Sequence, residues 1–138
     1  MQALAMTRNW YQTFALLGIA LAVIWPAGHH VRVKLATTHI SVPEAIAMID
    51  SGALVIDVRT APATHLPGAM LIPLQALEAR LASLEVAKTQ PIVVYCGNGS
   101  SLGPEAAHRL SQAGFTRVVN LQPGIEGWRG AGLPVAAG

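Results

Sequence analysis

The chain has 138 residues, 52% of them apolar and 12% charged, which is enough hydrophobic material for one folded domain and too much for a disordered chain. Its formal net charge is +2, but Arg8, Arg32 and Lys34 all fall in the first 34 residues, and the rest sets six Lys/Arg against seven Asp/Glu. The folded part is therefore near neutral and carries no basic stripe, which argues against nucleic acid as a partner. A single cysteine, Cys96, excludes an internal disulfide.

From Asn9 to Gly28 the chain reads NWYQTFALLGIALAVIWPAG, twenty residues without a formal charge. As a helix this run would be roughly 30 Å long, the thickness of a bilayer's hydrocarbon core. Trp10 and Tyr11 at one end and Trp25 at the other stand where the aromatic belts of a span would be. The expectation is a single-pass transmembrane helix over residues 9–28, inside an anchor and basic flank covering 1–35. Arg32 and Lys34 on the far flank, against Arg8 on the near one, put the following domain on the cytoplasmic side. The competing reading is a cleaved signal peptide and an exported, periplasmic domain, and the missing small-residue cleavage site weighs against it.

The domain proper is expected over 36–138. ISVPEAIAMIDSG predicts a helix entered through Ser41, with Pro43 in the first turn and Gly52 just past the end. ALVIDV (53–58) is a short continuous apolar run, the pattern of a buried parallel strand, and AMLIPL (69–74) predicts a second. LQALEARLASLE has leucines at 74, 77, 81 and 84, the spacing of one helical face. PIVVYC (91–96) is the next strand, and PEAAHRLSQAGF a helix starting near Pro104 and ending at Gly114. RVVNL (117–121) and GIEGWRGAG (124–132) complete the pattern as strand and helix. Strands and helices alternate through short connections, which predicts an α/β fold with a mostly parallel sheet and helices on both faces. Ligands of such sheets bind beyond the carboxyl ends of the strands, where Cys96 lies.

The stretch YCGNGSSLGPEA (95–106) carries the chemistry. A loop leaving a buried strand for a helix turns backbone N–H groups inward, and glycines at 97, 99 and 103 permit the dihedrals this needs. With the positive end of the helix dipole, such a loop would stabilise a thiolate on Cys96, or an anion bound over it, without a charged side chain. The alternative is a small buried residue ending a strand. Asn98, Ser100 and Ser101 are candidate donors to a bound anion, or ordinary solvated loop residues. His108, about one turn into the helix, is a weak candidate base. No residue pattern calls for a metal or another cofactor.

Several stretches together resemble the rhodanese family of sulfurtransferases: VIDVR (55–59), HLPGAMLIPL (65–74), IVVYC (92–96) and above all AGFTRVVNLQPGIEGWRGAGLPV (113–135). The resemblance implies a rhodanese-like domain with a five-stranded parallel sheet. For active members it implies a cysteine, here Cys96, that takes sulfane sulfur as a persulfide and passes it to a nucleophile. Residues 97–103, namely Gly97, Asn98, Gly99, Ser100, Ser101, Leu102 and Gly103, would form the substrate-binding loop, with Asp57 and Arg59 in support. TAPATH (60–65) is shorter than the corresponding family segment and lacks its acidic residue, so Arg59 must find another partner or face the pocket.

The loop also has the length and the Gly103-Pro104 ending of rhodanese-fold phosphatases and arsenate reductases, but Leu102 occupies the position of their arginine. A leucine cannot replace a planar cationic fork that clamps an oxyanion, which argues against phosphatase or arsenate reductase activity. The expected function is a membrane-tethered sulfurtransferase whose partners are a sulfur donor, thiosulfate or rather a persulfide, and a thiol acceptor, small molecule or protein. The alternative is a non-catalytic rhodanese-like binding module at the membrane surface.

Overall fold

The short apolar runs of the sequence become strands of one parallel sheet. In the computed structural model, which describes residues 37–138, β1 (His39–Ile40), β2 (Leu54–Asp57), β4 (Met70–Leu71), β5 (Ile92–Tyr95) and β6 (Val118–Leu121) form five strands in the order β1-β6-β5-β2-β4. Every neighbouring pair in this sheet is parallel. A separate antiparallel pair joins β3 (Thr64–His65) to β7 (Ala136–Ala137). The expected span over 9–28 lies outside the described residues, and among those described no helix is long and apolar enough to cross a membrane.

Alternation along β5 divides the core in two. Ile92, Val94 and Cys96 point to one face, where they pack with Leu77 and Leu81 of α2 (Leu77–Ser83) and with Ala106, Ala107 and Leu110 of α3 (Leu102–Gln112). Val93 and Tyr95 point to the other face, against Val42 and Ala45 of α1 (Val42–Asp50) and Ile125 and Trp128 of α4 (Gly124–Gly130). The β2–β5 register sets Ile56 against Val94 and Asp57 against Tyr95, so both central strands end at the same edge.

Ser41 caps α1: its Oγ accepts from the Glu44 N–H and donates to Glu44 Oε1, with Pro43 in the first turn. The expected strand over 69–74 shrinks to Met70–Leu71, because Pro73 cannot continue a ladder and opens the 3₁₀ turn Leu74–Ala76 ahead of α2. The helix expected near Pro104 starts two residues earlier, at Leu102. Proline is compatible with that position, since the N–H groups of a first turn have no partner inside the helix.

Candidate active site

Cys96 follows directly on β5, and its side chain faces the α2/α3 side with only 2% exposure. The chain then needs residues 97–101 to reach α3. Of the three loop glycines only Gly99 uses a left-handed conformation, φ +76°. A Cβ there would stand 2.7 Å from the Leu121 carbonyl oxygen and 2.9 Å from the Gln122 Cα, so the loop rests on the end of β6 as well. Gly103 is needed for another reason: a side chain on it would collide with the Asn120 carboxamide.

Asn120 is fully buried on β6, and its Nδ2 donates to the Gly99 carbonyl at 2.9 Å and lies 3.0 Å from His39 Nδ1. Its Oδ1 is buried beside Gly103 and has no partner among the described residues. Sequence reasoning passed over Asn120, although an amide inside the apolar run RVVNL is itself a signal, since buried polar groups are nearly always hydrogen-bonded. Asn120→Ala is expected to lower stability by about 1–3 kcal/mol, from the loss of the Gly99 anchor, as read by urea unfolding.

Within the loop, Asn98 Oδ1 accepts from Ser100 N at 3.0 Å and from Ser100 Oγ at 2.7 Å. Two of the three candidate donor side chains thus close a local turn on each other. Among the described residues no acceptor takes the N–H of Gly97, Asn98, Gly99 or Ser101. Ser101, at the N-cap of α3, makes no side-chain capping bond. The loop therefore presents unpaired backbone donors and no cation. Leu102, at the start of α3, is 37% exposed.

Helix α4 seals the other side of the loop. Ile125 N donates to the Cys96 carbonyl at 3.1 Å, and Glu126 N to that of Gly97 at 2.9 Å. Gly124, at φ +70°, allows this approach.

Asp57 and Arg59 do other work. Asp57 is fully buried; its Oδ1 accepts from Arg59 N and Nε, both at 3.0 Å, and its Oδ2 from Arg59 Nη2 at 2.7 Å. The same Nη2 donates to the Thr64 carbonyl at 2.8 Å, so the partner that Arg59 finds lies two residues back and the pair fastens β3. Hydrogen bonding to Asp57 raises the guanidinium above its ordinary range, against the effect of burial. The guanidinium lies 6.0 Å over the Tyr95 ring, whose hydroxyl accepts from the Leu66 N–H at 2.9 Å. Burial pushes that phenol well above the usual tyrosine range, so it stays neutral. Neither Asp57 nor Arg59 hydrogen-bonds to residues 96–103. His108 lines a polar cleft with Thr37, Thr38, Ser111 and Thr116, which none of residues 96–103 lines. Among the described residues no group of three His, Cys, Asp or Glu side chains is placed to hold a metal ion.

Comparison with known proteins matches residues 41–131 to the family described as Rhodanese-like domain. A sulfurtransferase of Allochromatium vinosum is 35% identical over 88 residues, covering 61% of this chain and 78% of the relative. The thiosulfate sulfurtransferase GlpE of Pseudomonas fluorescens is 36% identical over 90 residues, covering 62% of this chain and 78% of the relative. A crystal structure of a protein from Lactobacillus plantarum superposes with a TM-score of 0.62 at 28% identity, covering 86% of this chain and 95% of that one.

Proposed function

Because the chain belongs to the rhodanese-like family, we propose that it is a sulfurtransferase in which Cys96 carries sulfane sulfur as a persulfide. The observation that carries this reading is the placement of Cys96: it follows directly on a central strand of the matched domain and opens onto a loop in which, among the described residues, the N–H groups of Gly97, Asn98, Gly99 and Ser101 are unpaired. In the first half-reaction the Cys96 thiolate attacks the outer sulfur of a donor persulfide, R–S–S⁻; the new S–S bond forms as the old one breaks, and R–S⁻ leaves. The product persulfide anion on Cys96 is stabilised by N–H groups drawn from Gly97, Asn98, Gly99 and Ser101. In the second, a nucleophile takes the terminal sulfur and Cys96 departs as thiolate. Asn120 and α4 hold the loop in shape throughout.

Two relatives are named as sulfurtransferases, one of them for thiosulfate, which supports the reaction class. Backbone donors alone suit a persulfide anion, whereas a free dianion such as thiosulfate gains most from a cationic clamp, and Leu102 supplies none. A persulfide donor, on a small molecule or a protein, is therefore the preferred one. With cyanide as acceptor, the protein should form thiocyanate faster from a persulfide donor than from thiosulfate, and Cys96→Ser should reduce both to the rate of the reagents alone. Thiocyanate formation that survives Cys96→Ser overturns the reading, and its absence with both donors leaves the binding module, which the near-complete burial of Cys96 and the exposed Leu102 favour.

The proposal includes a membrane tether with the domain on the cytoplasmic side, supported by the uncharged run 9–28 and its flanking charges. A C-terminal reporter should be active in the cytoplasm and sediment with membranes after alkaline washing. A mature chain lacking its first 27 residues or so would replace the anchor with a signal peptide.

A further inference from the structure

Gly99 is tied to β6 by the Asn120 side chain, and Asn120 is tied in turn to the edge strand β1. His39 of β1 stands opposite Asn120 in the parallel register, and the Asn120 N–H donates to the Thr38 carbonyl at 2.9 Å. Thr37 Oγ1 donates to the Pro104 carbonyl, in the first turn of α3, at 3.4 Å. Residues 37–39 therefore brace the loop between Gly99 and Pro104 from outside, and they lie just before the segment 41–131 matched to the family.

The hydrogen bonds fix the chemical state of each partner. A carbonyl oxygen only accepts, so the Asn120 atom 2.9 Å from the Gly99 oxygen is Nδ2 and not Oδ1. Nδ2 has no lone pair to offer, so His39 Nδ1, 3.0 Å from it, is the acceptor. His39 in this arrangement is a neutral imidazole with its proton on Nε2. Both Nδ2 hydrogens are thereby used, one on the loop and one on β1, while Oδ1 stays buried beside Gly103 with no partner among the described residues. Turning the amide over would set Oδ1 against the Gly99 oxygen and release the loop. We propose that His39 is a positioning residue for the Cys96 loop: its Nδ1 lone pair holds the Asn120 amide with Nδ2 toward Gly99, which keeps the unpaired N–H groups around Gly99 in place for the sulfur that Cys96 carries. The inference rests on the sulfur-transfer reading for its effect on rate, and it gives a role to an exposed residue outside the matched segment.

Two substitutions on the full chain in detergent separate the acceptor from the bulk of the side chain. His39→Leu still covers Asn120 but cannot accept; His39→Asn sets a carbonyl oxygen close to the former Nδ1 position. With glutathione persulfide as donor, persulfide formation on Cys96 should be about threefold to tenfold slower in His39→Leu, the worth of one net hydrogen bond, and within about twofold of wild type in His39→Asn. The backbone amide signals of Gly99, Ser100 and Ser101 should shift in His39→Leu and return in His39→Asn. A residue that merely fills space at position 39 would be replaced better by leucine, so rescue by asparagine alone marks the acceptor. Rates equal in all three proteins, or His39→Asn as slow as His39→Leu, overturn the proposal.

Nitrogen-15 labelling of histidine reads the geometry directly and separates this inference from the reading beneath it. At mildly alkaline pH the His39 ring, identified as the signal lost in His39→Asn, should show an unprotonated Nδ1 and a protonated Nε2. A proton on Nδ1 overturns the proposal whatever the rates. Should His39→Leu fail to fold, that tautomer together with a wild-type rate in His39→Asn supports the proposal, and a slow His39→Asn overturns it. If the tautomer and the loop signals behave as stated while no persulfide forms in any of the three proteins, the sulfur-transfer reading fails and the positioning of the loop by His39 stands.

Discussion

Gly124→Ala is expected to destabilise the domain by about 3 kcal/mol and to abolish sulfur uptake, although it adds a single methyl group. Gly124 is held at φ +70°, where a side chain costs about 1 kcal/mol. Its Cβ would stand 2.5 Å from the carbonyl oxygens of both Cys96 and Gly97, and overpacking of this kind typically costs about 1–3 kcal/mol more. The obstacle is backbone, so it cannot rotate away. Relief requires α4 to withdraw, which breaks the Ile125 and Glu126 N–H bonds to those same carbonyls and lets the active loop shift. Gly130→Ala is the control: nothing lies within 4 Å of its Cβ position, and its stability should change by less than about 0.5 kcal/mol in urea unfolding.

Arg59→Ala is expected to cost about 3–5 kcal/mol, since it leaves the fully buried Asp57 carboxylate with one backbone donor in place of three Arg59 hydrogen bonds. The Thr64 carbonyl loses its donor in the same step, so β3 should loosen together with β7. Removing Asp57 as well relieves the uncompensated charge, so Asp57→Ala/Arg59→Ala should be more stable than Arg59→Ala alone. A double mutant no better than the single would show that the guanidinium matters through its contacts with Thr64 and Tyr95 rather than through the carboxylate. Lysine should restore only part of the stability, because it cannot donate from two nitrogens in one plane.

Strands β2, β5 and β6 and the four helices were legible because each has either a continuous apolar run or an apolar face at helical spacing. The two-residue strands β1, β3 and β7 were not: a period cannot be read from His39–Ile40 or Thr64–His65, and tertiary neighbours alone make them strands. Cys96 and its loop could be singled out from glycine spacing and position after a buried run. What holds that loop was hidden. Asn120 reads as one polar residue in a strand, and Gly124 and Gly127 as ordinary helix glycines, until the chain folds Gly124 onto the Cys96 carbonyl and Gly127 onto the Pro123 ring. The reading of three glycines as three backbone dihedrals also missed the distinction between Gly99, which needs its φ, and Gly103, which needs the space next to Asn120. The sequence lacks the family's usual acid and leaves Arg59 either another partner or the pocket; Asp57, at the buried end of β2, is that partner.

The central claim, that Cys96 carries sulfur, is tested most directly by the intact mass of the full chain after incubation with a persulfide donor and removal of excess reagent. A gain of one sulfur atom is expected, reversed by a small thiol and absent in Cys96→Ser. A protein that stays at its unmodified mass, or that gains sulfur equally after Cys96→Ser, would contradict it.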